Sequence, residues 1–422
     1  MKRPDSILAN IDWLTILVFF LMVMLGWINL YAAVFDEKSQ QNMFDLSQNS
    51  GKQLLYIIST IFLIIIIVSV DFKFYNSFAY IIYGFIIVLL ISVLLFGKEV
   101  AGAKSWFDLG LFQFQPSEFS KFATALVVAK YLDNPSVKLT KIKNLFVLVL
   151  LVGLPMGLIL LQPDTGTALV FMGFIIVFYR EGLSSLFIIL GLAGVAIFIM
   201  TLLIPQVYLF VGIVILGALI IGFGARNIKR IAITLVAMGV IAGTIKSVDF
   251  VINDVLKPHQ QNRIKVLFNP DIDPLGAGWN VTQSKIAIGS GGLAGKGFLA
   301  GTQTKFDFVP EQSTDFIFCT IGEEHGWMGS LLLISLFTIL LIRVINIAER
   351  QKSRFTRVYG YSVASIIFIH FMVNIGMTIG LFPVIGIPLP FFSYGGSSLW
   401  AFTVLLFILL KLDAHRMQIL VW

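Results

Sequence analysis

The sequence predicts an all-α protein, a polytopic bundle of membrane-crossing helices. Of its 422 residues, 58% are hydrophobic and 13% are charged, whereas a soluble domain carries roughly 25% charged residues. Its mean hydropathy is +0.92. Long apolar runs recur from one end of the chain to the other, each close to the roughly 20 residues that a helix needs to cross a bilayer. The one cysteine, Cys319, excludes an internal disulfide and a thiolate metal cluster.

The apolar runs predict about twelve transmembrane helices. They lie near Trp13–Tyr31, Gln53–Val70, Phe78–Phe96, Phe119–Leu132, Leu145–Leu161, Thr167–Tyr179, Leu183–Ile204, Val207–Phe223, Ile231–Ile245, Trp327–Val344, Val358–Leu381 and Ser398–Leu410.

The basic residues orient these helices. Placing Lys2 and Arg3 in the cytoplasm puts most of the remaining Lys and Arg on the same side, as the positive-inside rule requires. We therefore expect both termini in the cytoplasm. The net charge of +7 follows this loop pattern, so it does not indicate a nucleic-acid partner.

One long segment interrupts the helical pattern. Residues 250–326 are polar and rich in Gly, Asp, Asn and Lys, and the predicted topology places them outside the cell. Because the segment keeps aromatic side chains such as Trp279 and Phe308, we expect a large ordered loop. We interpret residues 1–422 as a single integral-membrane domain that contains it.

Two carboxylates stand where this loop enters the next helix. The i, i+4 spacing of Glu311 and Asp315 would put both on one helix face. Alternatively, Ser313, Thr314 or Asp315 simply caps the helix. The spacing alone leaves both interpretations open.

Further ionisable residues lie at predicted helix ends. Glu118 and Lys121 are three residues apart and can form an ion pair, either structural or lining a polar cavity. Asp164 can cap the following helix or add an acidic group to the outer face. We expect Glu323 and Glu324 to be exposed to water on an interfacial helix, and His370 to hydrogen-bond a neighbouring helix.

The outer loop also carries cations. A glycine-rich stretch, residues 289–297, contains Lys296 but departs from the P-loop pattern. Its backbone and Lys296 could contact an anionic headgroup, or form a plain turn. Arg263 and Lys285 lie in the same loop, where solvation alone would also explain them.

The segment NIGMTIGLFPVIGIPLPFFSYGGSS, residues 374–398, resembles the signature of the SEDS family (shape, elongation, division and sporulation). The resemblance extends through QPSEFSK, QPDTGT, DPLGAGW and PEQSTDF, which begin at residues 115, 162, 273 and 310. The chain is more similar to the rod-elongation branch than to the division branch. The resemblance implies about ten transmembrane helices, so residues 205–247 are interpreted as an inserted transmembrane hairpin.

The resemblance also implies a function. SEDS proteins of this kind polymerise lipid II, a disaccharide-pentapeptide on undecaprenyl pyrophosphate, in the bacterial inner membrane. Asp315 matches the family's essential aspartate and is the candidate general base. Glu118, Lys121 and Asp164 match other polar positions linked to function, and Trp106, a further candidate for substrate binding, matches an aromatic position before the QPSE motif.

Inversion at the donor anomeric carbon and a cationic contact to the pyrophosphate would complete the reaction. Lys121, Arg263 and Lys285 are candidate cations. No cofactor is implied with certainty and no metal ligands are identified, although a bound divalent cation is left open.

Two other functions remain. A lipid II flippase would share the membrane groove but would need polar groups at several depths. A scaffold for wall-synthesis partners is the second, and the resemblance implies a class B penicillin-binding protein, a transpeptidase, as partner.

Overall fold

The computed structural model describes residues 10–35, 42–100, 102–108, 110, 112–223, 227–256, 258–267, 273, 276–306 and 308–417. The orienting residues Lys2 and Arg3 lie outside this part of the chain, as do Pro274 and Leu275 of the DPLGAGW motif.

Helices dominate the described residues, in agreement with the predicted all-α class. They are α1 Trp13–Val34, α2 Asn49–Ser69, α3 Phe72–Ser77, α4 Ala79–Phe96, α5 Pro116–Asp133, α6 Ile142–Leu161, α7 Thr165–Val170, α8 Phe174–Arg180, α9 Ser185–Leu203, α10 Gln206–Phe223, α11 Ile228–Phe250, α12 Pro258–Lys265, α13 Ala277–Ser290, α14 Ile317–Glu324, α15 Gly326–Glu349, α16 Arg354–Thr378 and α17 Gly396–Ala414. A 3₁₀ turn, Phe171–Gly173, joins α7 to α8, and a π turn, Val251–Val255, follows α11.

Ten of the described helices are long and apolar enough to cross a membrane. The other two predicted spans are also helical. Pro116–Asp133 falls outside the ten because it carries several charged residues, and Thr165–Arg180 because it is short. The polytopic bundle is therefore confirmed.

Most of the described residues form one compact unit, which falls within the ranges Met1–Leu183 and Asn280–Trp422. Its centre is built from α5 and α17. α5 packs against α4, α16 and α17, and α17 also packs against α2. Nearly every residue of α17 is buried. An apolar helix that is buried on all sides belongs to the interior of a bundle, so α17 and α5 place their side chains inside the protein.

A second unit, Ser184–Trp279, contains α9, α10, α11 and α12. Within it, α11 packs against α9 and α10, and Met238 covers Gly217 closely. Apolar side chains on these three long helices are mostly exposed, which suits surfaces that face lipid. The predicted hairpin, residues 205–247, corresponds to α10 and most of α11.

A small antiparallel sheet precedes α5. Its strands are β1 Lys98–Val100, β2 Ala103–Asp108 and β3 Gln113–Phe114, in the order β1-β2-β3. Phe107 pairs with Phe114, and the chain then enters α5 two residues later at Pro116. The sheet therefore fixes the direction from which α5 begins.

Candidate functional site

The segment between α16 and α17, residues 379–395, is called the signature loop below. Gly380 and Gly386 both have φ of +76°, a conformation that glycine adopts without steric cost. Pro383, Pro388 and Pro390 lack the backbone N–H that a helix needs. These residues explain why α16 ends at Thr378 rather than at the predicted Leu381, and why an irregular loop follows.

The signature loop and the end of α16 hold the turn that contains Asp315. The Tyr394 amide donates to the Ser313 carbonyl at 2.9 Å, and the Ser393 hydroxyl donates to the Thr314 carbonyl at 2.6 Å. The Asn374 side-chain amide donates to the Asp315 carbonyl at 2.8 Å. Three successive carbonyls are thus fixed, so the backbone at Asp315 is set by the signature segment.

The Asp315 carboxylate lies over Gly386. A Cβ atom added at Gly386 would be 3.0 Å from Asp315 Oδ2, so only glycine leaves this space open. Asp315 itself is half-buried.

The two local predictions for Asp315 were wrong. The helix begins only at Ile317, its N-cap is Phe316 without a side-chain capping bond, and Glu311 has φ of +54°. The two carboxylates therefore do not share a helix face, because the turn is irregular.

Asp164 lies at the start of α7, the helix that packs on the signature loop. Its carboxylate accepts from the Thr167 amide at 2.9 Å and caps α7, as predicted. It also accepts from the Gln115 side chain at 3.1 Å and from the Ser117 hydroxyl at 3.2 Å. Directly beyond it, a Cβ added at Gly166 would lie 2.8 Å from the Gly386 carbonyl oxygen. The start of α7 therefore packs on the backbone that underlies Asp315.

Glu118 and Lys121 form the predicted ion pair in the first turns of α5. Lys121 Nζ lies 2.8 Å from Glu118 Oε2, and both side chains are 3% exposed. Lys121 Nζ also lies 3.0 Å from His370 Nε2 and 4.4 Å from the centre of the Phe402 ring. In this arrangement the pair is sealed inside the bundle, as the structural interpretation requires.

Lys285 lies beside the signature loop on α13. A Cβ added at Gly380 would be 2.5 Å from Lys285 Nζ, so the lysine side chain crosses the loop where only glycine leaves room. The neighbouring Ser284 hydroxyl donates to the Thr378 carbonyl at 2.9 Å. Lys285 itself is exposed, so this cation can be reached from outside.

Lys296 has a structural partner, Glu323. The two side chains are 2.7 Å apart, and the Glu323 side chain is fully buried. Its carboxylate also accepts from the backbone amides of Thr302, Gln303 and Thr304 and from both threonine hydroxyls. A chain of backbone amides folded around an anion is a nest, and here the anion is the protein's own carboxylate.

The prediction that Glu323 and Glu324 face water was therefore wrong. Burial would raise the pKa of Glu323, but hydrogen bonds from the Gln303 amide, from Lys296 and from the neighbouring amides lower it to about 2. Burial raises the pKa of Glu324 to about 7. Both residues end α14, which is not among the ten candidate spans.

The remaining predicted residues belong to other elements. Trp106 is in β2, opposite Lys98, and is half-buried. Arg263 belongs to α12 in the second compact unit. Among the described residues, no group of three or more His, Cys, Asp or Glu side chains could hold a metal ion.

Sequence reasoning missed two roles. Asn374 belongs to the recognised motif, and its position four residues after His370 places both on one helix face. That spacing could have identified them as a pair that faces the following loop. Glu323 had no such signal, because its partners are backbone amides supplied by residues 302–304.

Together the fold and the site define a polytopic α-helical membrane protein whose buried and half-buried polar residues contact one irregular loop at one end of the bundle. A family model for cell cycle proteins (FtsW, RodA and SpoVE) matches residues 12–211 and 206–418. The chain belongs to this family, which confirms the resemblance seen in the signature segment.

The relatives carry specific names. The chain is 33% identical over 397 residues to the peptidoglycan glycosyltransferase MrdB of Escherichia coli K12, with 94% of this chain and 93% of that protein covered. It is 31% identical over 435 residues to the peptidoglycan glycosyltransferase RodA of Treponema pallidum, with 97% and 99% covered.

Solved structures agree with the fold. A chain from a peptidoglycan synthase complex, described as coordinating polymerization and crosslinking, matches with a TM-score of 0.71 and 26% identity over 97% of this chain and 99% of that one. The rod shape determining protein RodA of Thermus thermophilus matches with a TM-score of 0.62 and 25% identity over 96% and 97%.

Proposed function

We propose that this chain is a peptidoglycan glycosyltransferase that polymerises lipid II into glycan strands during cell elongation. The observation that carries the proposal is the set of hydrogen bonds by which the signature loop and Asn374 hold the Asp315 turn. The half-buried Asp315 carboxylate lies over Gly386, and the start of α7 packs against the carbonyl of the same glycine. Peptidoglycan glycosyltransferases among the relatives cover nearly the whole chain.

Asp315 acts as the general base. Its carboxylate takes the proton of the acceptor sugar hydroxyl, a weak nucleophile, as the oxygen attacks the donor anomeric carbon. In a single displacement the C–O bond to the acceptor forms on the face opposite the pyrophosphate as the bond to the pyrophosphate breaks, so the configuration inverts. The leaving undecaprenyl pyrophosphate carries away the bonding electron pair. The hydrogen-bonded backbone of residues 313–315 holds the carboxylate in place, which lowers the entropic cost of reaching the transition state.

Lys285 is the leading candidate for stabilising the charge on the leaving group. It is exposed and crosses Gly380, in the same loop that supports Asp315. Lys121 and Lys296 are already paired with buried carboxylates, so we assign them to support of the site. Arg263, Trp106 and a divalent cation remain candidates for substrate contact.

We place the site on the extracytoplasmic face of the bacterial inner membrane, with both termini in the cytoplasm. The chain direction puts the ends of α5, α7 and α17 that begin near the site at one face. The opposite ends carry Arg180, Arg350, Arg354, Arg357 and Lys411. This asymmetry obeys the positive-inside rule.

The flippase alternative is disfavoured by the closed opposite end of the bundle. Buried Asp413 binds Arg350 and Gln351, and buried Asp12 binds Arg343 and Arg350. A transport path would have to break these pairs, and leaving one buried charge unpaired costs about 3–5 kcal/mol.

A class B penicillin-binding protein is the proposed partner, since a similar chain was solved within a peptidoglycan synthase complex. A scaffold role is compatible with this partner but does not explain why hydrogen bonds hold the Asp315 turn in place.

We further propose that residues 1–422 act as one membrane domain in which residues 205–247 are an inserted hairpin and residues 250–326 are the extracytoplasmic loop.

Purified protein in vesicles that contain lipid II tests the proposed activity. We expect glycan strands on a gel, with no transfer of lipid II headgroups between leaflets beyond that of empty vesicles. Headgroup transfer without polymer would instead support the flippase, and neither activity, with or without a transpeptidase partner, would support the scaffold.

A further inference from the structure

We infer that His370 is a positioning residue, which bridges the buried Lys121 ammonium to the signature loop and so fixes the loop that presents Asp315. The inference rests on the proposed function for its kinetic consequence. Its structural part, the coupling of His370 to the loop, can be tested without any assay of activity.

The two partners of His370 determine its protonation. Its Nδ1 lies 3.1 Å from the Pro388 carbonyl oxygen, and its Nε2 lies 3.0 Å from Lys121 Nζ. A carbonyl only accepts and an ammonium only donates. Nδ1 therefore carries the hydrogen, and Nε2 accepts from the lysine, so the ring is the neutral Nδ1–H tautomer.

His370 acts together with Asn374, one helical turn further along α16. The Asn374 side-chain amide donates to the Ile387 carbonyl at 2.7 Å, next to the carbonyl that His370 binds. The same amide nitrogen donates to the Asp315 carbonyl. Two side chains on one face of α16 thus donate hydrogen bonds to two consecutive carbonyls of the signature loop. Asn374 also joins the loop to the Asp315 turn.

These contacts form a continuous path from α5 to the proposed base. Glu118 fixes Lys121, Lys121 fixes the His370 ring, and His370 fixes Pro388. Two residues before Pro388 in the same loop is Gly386, over which the Asp315 carboxylate lies. His370 is fully buried, so water does not replace either of its bonds.

Packing alone does not account for this arrangement. The His370 ring meets the Phe402 ring edge-on, with centroids 4.8 Å apart, a contact that phenylalanine could also make. Phenylalanine would leave the Pro388 carbonyl without its donor and Lys121 with fewer acceptors. Leaving a buried polar group without a partner is destabilising, so the loop would shift to recover partners.

Two variants separate shape from hydrogen bonding. His370→Phe keeps the ring and removes both bonds. His370→Asn places an amide donor where Nδ1 stands, so it can keep the bond to Pro388. We expect kcat for lipid II polymerisation to fall about 10- to 100-fold in His370→Phe, with KM within about twofold, because the base is displaced but the substrate surface is not. His370→Asn should recover part of kcat, because it keeps the bond to Pro388 but loses the bond to Lys121.

Amide exchange provides the second readout. The Leu389 amide donates to the Ser393 hydroxyl and the Tyr394 amide to the Ser313 carbonyl. We expect both to exchange about tenfold faster in His370→Phe and at an intermediate rate in His370→Asn. Amides within α17 should exchange at the wild-type rate in both variants.

Unchanged exchange at Leu389 and Tyr394 in His370→Phe would overturn the inference, as would equal damage to kcat in the two variants. A wild-type protein that makes no polymer would instead overturn the proposed function, and the exchange rates would then decide the role of His370 by themselves.

Discussion

At the scale of single residues, two adjacent carboxylates behave in opposite ways. Glu323 is charged inside a nest of amides formed by Thr302, Gln303 and Thr304, whereas Glu324 is buried with one oxygen that has no hydrogen-bond partner. Because its pKa falls from 4.5 to about 2, Glu323 stabilises the fold fully above pH 4.5. This contribution is lost as pH falls toward 2, and it amounts to about 3 kcal/mol.

Replacing this charge should loosen the loop around it. In Glu323→Gln at neutral pH, we expect the amides of Thr302, Gln303 and Thr304 to exchange about 10- to 100-fold faster, measured by hydrogen exchange and mass spectrometry. Glu324→Gln is the matched control, because burial raises the pKa of Glu324 to about 7 and a neutral side chain costs little there. Equal acceleration in the two variants would show that the nest does not depend on the Glu323 charge.

The sequence could predict some residue roles and not others. The Glu118–Lys121 pair and the Asp164 cap follow from spacing within a helix, and both are confirmed. The environment of Glu323 could not be predicted, because donors to its carboxylate come from residues about twenty positions away in the chain. Local polarity predicted exposure, and tertiary contacts produced burial.

At the scale of structural elements, the start of α7 and the signature loop touch through backbone atoms. Gly166 faces the Gly386 and Ile385 carbonyl oxygens so closely that a Cβ atom would lie 2.8 and 3.0 Å from them. Backbone at this distance cannot yield without moving the loop, and the loop supports the Asp315 carboxylate. The position of α7 therefore bears on the geometry of the proposed base.

Adding one methyl group at this contact tests its importance. We expect Gly166→Ala to destabilise the protein by about 1–3 kcal/mol through overpacking and to slow polymerisation, measured by thermal unfolding in detergent and by product gels. Gly157→Ala in α6 is the control, since nothing lies within 4 Å of a Cβ added there. A Gly166→Ala protein as stable and active as Gly157→Ala would contradict the packing argument.

Element boundaries were predictable where a long apolar run defines the element. Most predicted spans match helices within a few residues, because apolar length alone defines them. The entry into α14 was not predictable, because the irregular turn before it is held by Ser393, Tyr394 and Asn374, which come from a distant part of the chain. Helical spacing had suggested a shared face for Glu311 and Asp315 that this turn does not provide.

At the scale of the whole molecule, the end of the bundle opposite the site is closed by ion pairs. Buried Glu181 binds Arg354 and Arg357, and the Phe355 amide donates to Asp133 at 3.0 Å. Arg180 and Glu349 form a more exposed pair there. A polymerase that works at one face has no need to open this end, whereas a transporter must open it.

Locking the closed end distinguishes these two modes. Arg180→Cys combined with Glu349→Cys removes a surface pair of little energetic value and allows a short bismaleimide to link α8 to α15. The native Cys319 is buried. We expect the cross-linked protein to polymerise lipid II within about twofold of the uncross-linked double variant. Polymerisation that stops on cross-linking and returns when a cleavable linker is cut would show that this end must open.

The central claim is that the Asp315 carboxylate accepts the proton of the attacking sugar hydroxyl. The most direct measurement is the rate of glycan strand formation from lipid II by purified Asp315→Asn, compared with Glu311→Gln from the same turn. Both changes replace a carboxylate by its amide, so they differ only in which residue loses the charge. We expect a loss of about 100-fold or more in Asp315→Asn and near wild-type rates in Glu311→Gln. A folded Asp315→Asn protein that polymerises lipid II at the wild-type rate would contradict it.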